Sequence, residues 1–332
     1  MKKEINRVAI VRLSALGDIV NAAVVVQFLK EAYPKIRIEW ITEELFAPLL
    51  HTVKEIDAIH TINLKEFKKT KNISLLKEAT VKLRSLGEFD SVVDMQGLLK
   101  SALVARVISK ETHGFDKESI RESLAAFFYK TSSHIAYKES VVWRNAFLIS
   151  DALAFKITPE MLLNKKPIFQ TQTLYKKSEI KEIAFVIGAS WKSKIYPKER
   201  VVDVCNKLDV KIHIIWGNED EKAAAEWIQE HTKNATLAPK LSLSELVTFI
   251  SSMDLLIGND TGPTHIAWAQ NIPSITLFGP TNARMIYETP RNIGIKSPSQ
   301  VNILQINKND FSIQEIDPNL IAQKAKELLY GL

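Results

Sequence analysis

The chain has 332 residues, 46% of them hydrophobic and 25% charged, with a formal net charge of +6 and a single cysteine. At roughly 100–200 residues per domain this length suggests two domains, and the composition excludes disordered, collagen-like and low-complexity chains. One cysteine excludes an internal disulfide, a zinc finger and an iron–sulfur centre, while the mild positive charge suits nucleic acid, an anionic membrane surface or an anionic small substrate equally well.

The N-terminal stretch MKKEINRVAIVRLSALGD reads as a strand rather than a leader, since polar residues interrupt its apolar run and no small-residue cleavage site follows. A cytoplasmic location is expected on that reading, and no window approaches the ~18 consecutive apolar residues of a membrane-spanning helix. Apolar runs then alternate with helical periods, the signature of repeated βα units and a parallel sheet. Strands are expected at 7–13, 36–42, 58–63, 91–94 and 111–114, and again at 183–187, 211–216, 236–237, 255–258 and 274–278. Helical patterns lie at 19–33, 98–108, 198–208, 220–231, 243–251, 264–270 and 318–329.

The expected fold class is therefore α/β, with two Rossmann-like domains built on parallel sheets. The first domain spans 1–160, a polar connection 161–182, the second domain 183–315, and a terminal helix at 316–332 is a candidate to pack back on the first domain. Cys205 shares a periodic apolar stretch with Val201, Val202, Val204 and Leu208 and is expected in a core. The lysine-rich segment 64–84 has two readings, a solvated helix face or a segment lying on a membrane surface.

Open α/β sheets bind ligands beyond the carboxyl ends of their strands, so function is sought in the loops that follow strands. In the first such loop, Ser14, Gly17 and Asp18 stand between an apolar strand and an amphipathic helix. Gly17 allows a close backbone approach or a positive φ, and the helix start favours anions. Asp18 reads either as a first-turn carboxylate or as a group able to take a proton from an attacking hydroxyl. GxGxxG is absent, which argues against a nicotinamide enzyme.

The second loop holds Asp260, Thr261, Gly262 and His265 between a strand and a helix, where backbone N–H groups, a hydroxyl and the helix dipole make a diphosphate cradle. Phe278-Gly279-Pro280-Thr281 is a similar strand-end turn. The third loop gathers Ser190 and Lys194, the latter a mobile point charge suited to phosphate. In the fourth, a carboxylate in Trp216-Gly217-Asn218-Glu219 is placed to hold a ribose or base. No Asp-x-Asp pair and no metal-ligand spacing of His, Cys and carboxylates occurs, so no metal is expected.

Together these motifs resemble the heptosyltransferase family of lipopolysaccharide core synthesis, glycosyltransferase family 9, over nearly the whole chain. The Ser-x-x-Gly-Asp pattern stands at Ser14 to Asp18 and Asp-Thr-Gly-x-x-His at Asp260 to His265. Segments around Asp94, Gln96, Gly97 and Lys100, the run His113 to Arg121, and Arg144 look like the acceptor side of the branch that adds the first heptose to Kdo-lipid A. The resemblance implies two facing Rossmann-like domains of GT-B type, an ADP-heptose donor, and inversion at the anomeric carbon without metal or other cofactor. It implies Asp18 as general base and Asp260 on heptose hydroxyls. Thr261, Gly262, Ser190 and Lys194 then hold the diphosphate with His265 beside them, Glu219 takes the ribose, and Leu241 lies by adenine. Acceptor contacts fall to Ser14, Gly17, Asp94, Gln96, Gly97, Lys100, Arg121 and Arg144. The chain departs from the family at Ala189, where a second hydroxyl residue is common, and at Ala15, where a paired serine is commoner.

The implied partners are ADP-L-glycero-D-manno-heptose, Kdo-lipid A and the anionic inner leaflet, with no nucleic acid, and a monomer peripheral to the inner membrane is expected. Competing readings are a heptosyltransferase with another core acceptor, a nucleotide-sugar epimerase and a non-enzymatic nucleotide-sugar sensor.

Overall fold

Short β-branched and aliphatic runs bounded by polar turns, too short for stable helices, fold into parallel strands buried on both faces. The computed structural model describes residues 5–171, 180–302 and 306–331, so residues 172–179 of the expected connection lie outside the described residues. The chain divides into two units, Met1–Phe169 and Gln170–Leu332.

The first unit contains β1 (Arg7–Val11), β2 (Arg37–Glu43), β3 (Ala58–Ile62), β4 (Ser91–Asp94), β5 (Thr112–Phe115) and β6 (Thr131–Ser133) in the order β3-β2-β1-β4-β5-β6. All pairs are parallel; β1 aligns Val11 with Ile41 of β2 and Asp94 of β4. Its helices are α1 (Leu16–Ala23), α2 (Val26–Ala32), α3 (Ala47–Leu50), α4 (Leu64–Thr70), α5 (Ile73–Arg84), α6 (Leu99–Ile108), α7 (Val141–Leu153) and α8 (Pro159–Leu163). Ala9, Val11 and Val92 of the sheet pack against Leu83 of α5 and Val104, Ala105 and Ile108 of α6.

The second unit repeats the plan with β7 (Glu182–Val186), β8 (Lys211–Ile215), β9 (Ala235–Leu237), β10 (Leu255–Asn259), β11 (Ser274–Phe278) and β12 (Asn292–Lys296) in the order β12-β11-β10-β7-β8-β9. Its helices are α9 (Lys198–Cys205), α10 (Glu219–Glu230), α11 (Leu243–Ser251), α12 (Gly262–Ala269) and α13 (Pro318–Tyr330). Cys205 is buried in this core, and burial pushes its thiol up to about 12. The terminal helix, a sequence candidate for the first domain, is built into this core: α13 packs on α9, with Ile321, Ala322 and Ala325 buried beside Val204 and Ile257.

Two expected helices are broken. The 19–33 pattern splits at Val24 and Val25, where the amide of Val25 turns to the carbonyl of Ala22, three residues back, at 3.3 Å. The 64–84 segment ends one helix at Lys71, in the left-handed region at φ 55°, and starts the next at Asn72, whose side chain accepts from the amide of Ser74. Two strands lacked a signal. Thr-Ser-Ser in β6 has no apolar alternation, and β12 is interrupted by Gly294, where a Cβ would lie 2.9 Å from the Phe278 ring.

Strand order reverses between β1 and β4 and again between β7 and β10. The loops after those four strands are the switch points at which such sheets bind ligands.

Candidate functional site

In the first unit β1 ends in a charge. Arg12 is 7% exposed, donates through Nη1 to the carbonyl of Met95, and reaches Asp18 Oδ1 through Nη2 at 2.9 Å. Asp18 lies in the first turn of α1 with its side chain 27% exposed, and its Oδ2 faces the amide of Ala15 at 3.4 Å. The carboxylate is thus oriented by a buried cation yet open to solvent. Gly17 sits in the same helical turn and is not among the positive-φ glycines, which removes that reason for glycine.

The loop after β4 closes beside it. Gln96 Oε1 accepts from the amide of Leu13 at 2.8 Å and its Nε2 lies 3.4 Å from Ser14 Oγ, which also accepts from the exposed Lys100 at 3.2 Å. Ser14, Asp18, Gln96 and Lys100 therefore form one rim. Gly97 is required there on two counts, a φ of +67° and an Ile120 methyl 2.6 Å from where a Cβ would stand. Arg121 is exposed, next to Glu122, whose carboxylate accepts the amide of Leu99 at 2.8 Å.

Two expected acceptor contacts have other work. Asp94 is fully buried: Oδ1 accepts from the amides of Gln96 (2.8 Å) and Gly97 (3.3 Å), and Oδ2 from Ser101 Oγ (2.8 Å) and Tyr129 (2.7 Å). Burial pushes its carboxyl above the usual carboxylate range, against the pull of these bonds. It shapes the loop and shows no face to a ligand. Arg144 is 5% exposed and donates to the carbonyls of Ser119 (2.6 Å), Ile135 (2.9 Å) and Ala136 (2.9 Å), with its guanidinium over the Phe115 ring at 4.5 Å. It ties the loops after β5 and β6 together instead of reaching an acceptor.

In the second unit Asp260, 2% exposed, is gripped from three sides. Lys194 Nζ and Thr281 Oγ1 donate to Oδ2 at 2.8 and 2.9 Å, and His265 Nε2 lies 3.4 Å from Oδ1. Burial works against the charge, but Lys194 and His265 outweigh it and hold the carboxyl well below its ordinary range. Thr261 is the N-cap residue of α12; Thr264 Oγ1 accepts from the Thr261 amide at 3.3 Å and donates to the Thr261 carbonyl at 2.6 Å, which places the Thr261–Gly262 backbone at the helix start. Asn259 Nδ2 donates to the carbonyl of Ile187 at 2.9 Å and its Oδ1 accepts from the amide of Tyr196 at 3.1 Å, so the loop carrying Ser190 and Lys194 is fastened to β10. Ser190 is exposed on that loop. Trp191 Nε1 and Ser193 Oγ are buried without a hydrogen-bond partner among the described residues.

Glu219 and Leu241 belong to a neighbouring pair of loops. Lys240 donates to the carbonyl of Gly217 and lies 4.5 Å over the Trp216 ring, whose Nε1 donates to the carbonyl of Ala238 at 2.8 Å. Glu219 is exposed at the start of α10 and Leu241 is half-buried. At Gly188 a Cβ would fall 2.5 Å from the Glu221 carboxylate, so this loop approaches α10 closely only as glycine.

Sequence reasoning passed over Arg12, Thr281 and Tyr129. Arg12 had a usable signal, a charge ending an otherwise apolar strand. Thr281 stood in a turn already noted as a strand end, whereas nothing local marked Tyr129, which reaches Asp94 across 35 positions. Among the described residues one trio, Asp116, Glu118 and His134, has ligand atoms close enough to share a cation, with His134 Nδ1 2.7 Å from Asp116.

The chain matches glycosyltransferase family 9 (heptosyltransferase) over residues 81–316. It is 38% identical to lipopolysaccharide heptosyltransferase 1 of Campylobacter coli, covering 97% of this chain and 98% of that one. It is 26% identical to the protein of the same name from Escherichia coli K12, over 91% and 96% of the two chains. The solved E. coli heptosyltransferase WaaC with ADP-2-deoxy-2-fluoro heptose superposes with a TM-score of 0.79 at 23% identity, over 97% of this chain and 99% of that one, a likeness of fold of the GT-B type. This chain belongs to glycosyltransferase family 9 and is a heptosyltransferase.

Proposed function

We propose that the enzyme transfers the first L-glycero-D-manno-heptose from ADP-heptose to the Kdo residue of Kdo-lipid A, with inversion and without a metal, at the cytoplasmic face of the inner membrane. The observation that carries this reading is Asp18, a carboxylate oriented by Arg12 and open to solvent at a strand-end switch point. It is supported by the near full-length similarity to a protein named lipopolysaccharide heptosyltransferase 1.

In this reading Asp18 takes the acceptor hydroxyl proton as that oxygen attacks C1 of the heptose. The C1–oxygen bond to phosphate breaks and ADP leaves with the bonding pair. One direct displacement inverts the anomeric carbon. Ser14, Gln96, Lys100 and Arg121 receive the acceptor's polar and anionic groups, and Arg12 acts on Asp18 as a positioning residue. The leaving diphosphate gathers charge, which Lys194, the Thr261–Gly262 backbone at the start of α12 and Ser190 are suited to stabilise. Asp260, already committed to Lys194 and Thr281, orients heptose hydroxyls rather than moving protons. His265 lies behind it, while Glu219 and Leu241 flank the nucleoside beside Trp216.

The test is incubation of purified protein with ADP-heptose and Kdo-lipid A in EDTA, with Asp18→Ala alongside, followed by mass spectrometry of the lipid. One added heptose, lost in the variant, supports donor, acceptor, base and metal independence together. Transfer only onto an already heptosylated core overturns the acceptor and leaves the chemistry. Donor turnover without any acceptor favours an epimerase, and transfer that stops in EDTA refutes metal independence.

A further inference from the structure

On one face of the first sheet α5, α6 and the 3₁₀ turn Ser123–Phe128 lie side by side, α5 against α6 and α6 against the turn. Their inner faces supply the core, yet each also turns two large apolar side chains outward: Ile73 and Val81 on α5, Leu99 and Leu103 on α6, Leu124 and Phe127 on the turn. Val81 is 69% exposed and Phe127 79%. Half of the large apolar side chains exposed among the described residues fall on these three neighbouring elements, which is clustering rather than the scatter normal for a protein surface. Exposed cations outnumber exposed carboxylates among them: Lys77 and Arg84 on α5, Lys100 and Arg106 on α6 and Arg121 just before the turn, against Glu78 on α5 and Glu122 at the turn's start.

We propose that this surface docks on an anionic lipid bilayer, with Leu103, Leu124 and Phe127 entering the interface and Lys77, Arg84 and Arg106 meeting phosphate headgroups. Isolated apolar tips interleaved with basic side chains suit an interface in which lipids rearrange around each tip. A second protein copy would instead need a continuous complementary area of roughly 800 Å² per partner. The surface also runs into the Ser14 rim, because Lys100 in the first turn of α6 donates to Ser14 Oγ. Bilayer docking would then hold the rim at headgroup depth, a consequence that rests on the reading of the acceptor as a membrane lipid. The lysine-rich 64–84 segment contributes α5, and the apolar contribution of α6 and the following turn lies outside it.

The experiment is flotation of the full chain, without acceptor, with vesicles of phosphatidylglycerol and phosphatidylethanolamine, and with phosphatidylcholine vesicles as the neutral control. The comparison is with the double variant Leu103→Ser, Phe127→Ser, whose side chains are exposed and whose folding is checked by its melting temperature. Binding to the anionic vesicles that weakens with salt, and a tenfold or greater loss of partitioning in the double variant at unchanged melting temperature, are expected. Equal flotation of the variant, or no flotation of the parent at low salt, overturns the proposal. Self-association of the parent that the variant abolishes, without vesicle binding, reassigns the face to a contact between copies. Transfer onto an acyl-free Kdo acceptor, measured in parallel and expected to be equal in both proteins, reports on the function separately: its absence from both counts against the acceptor reading and leaves the vesicle result intact.

Discussion

Each unit finishes a central strand in a buried carboxylate, and the two are held in opposite ways. Asp94, ending β4, is surrounded by neutral donors, and burial raises its carboxyl. Asp260, just past β10, meets Lys194 and His265, and is held far below the usual range. Neutral donors close a loop and leave nothing over for a ligand. A cation brought into a buried site costs desolvation and is kept there by a partner; around Asp260 that partner is a carboxylate, whereas Arg144 is held by backbone carbonyls. Asp18 is a third case, oriented by a cation but solvent-accessible, and so able to exchange a proton.

The largest effect expected from this contrast is on catalysis. Asp18→Asn should lower transfer by about 10²–10⁴-fold, the usual worth of a positioned acid or base. Its melting temperature should move little, since an amide oxygen still accepts from Arg12. A time course of product by mass spectrometry together with a thermal melt decides it, and activity within tenfold of the parent would place the base elsewhere. Next comes stability in the second unit. Asp260→Asn leaves the buried Lys194 ammonium facing an amide that cannot neutralise it, and should cost about 3–5 kcal/mol in chemical unfolding. A cost near zero would mean that Lys194 finds water, and that the site is far wetter than its 2% exposure of Asp260 indicates.

The architecture was largely legible because parallel strands buried on both faces are written as unbroken apolar runs, as in Val8–Val11 and Leu255–Ile257. The strand-end loops were legible for the same reason, since polar Gly-bearing stretches after such runs must lie beyond the ends of the strands. What could not be read was which polar residue in a loop faces outward. Asp94 and Gln96 are two positions apart, yet one is sealed and the other lies on the rim, a difference set by Tyr129 and Ser101 arriving from elsewhere in the chain. Arg144 misled for a related reason: a basic residue near the acceptor segments is equally a loop tie when backbone carbonyls surround it.

A smaller effect is expected at Arg144. Arg144→Lys keeps the charge but cannot span three carbonyls, and should cost about 2 kcal/mol of stability while the KM for acceptor changes less than threefold. A large rise in KM at unchanged stability would return Arg144 to the acceptor site. Unfolding curves and initial rates on the same preparation separate the two outcomes.

The smallest effect is expected at Asp94, and it tests the contrast most directly. In Asp94→Asn the amide oxygen can keep the N–H groups of Gln96 and Gly97, while its NH₂ donates to the hydroxyls of Ser101 and Tyr129, which accept as readily as they donate. The cost should stay within about 1 kcal/mol. The pH dependences should run in opposite directions. Asp94 has a raised folded pKa, so its contribution to stability is present below its unfolded value of 3.8 and is lost as pH rises through the folded one. Asp260 has a depressed folded pKa, so its contribution is present above 3.8 and is lost as pH falls through the folded one. Unfolding free energies measured from acid to neutral pH should therefore show Asp94→Asn gaining on the parent as pH rises while Asp260→Asn falls further behind. Parallel trends would mean that the two carboxylates share one electrostatic environment, and the distinction between a loop closed by neutral donors and a site built around a cation would fail.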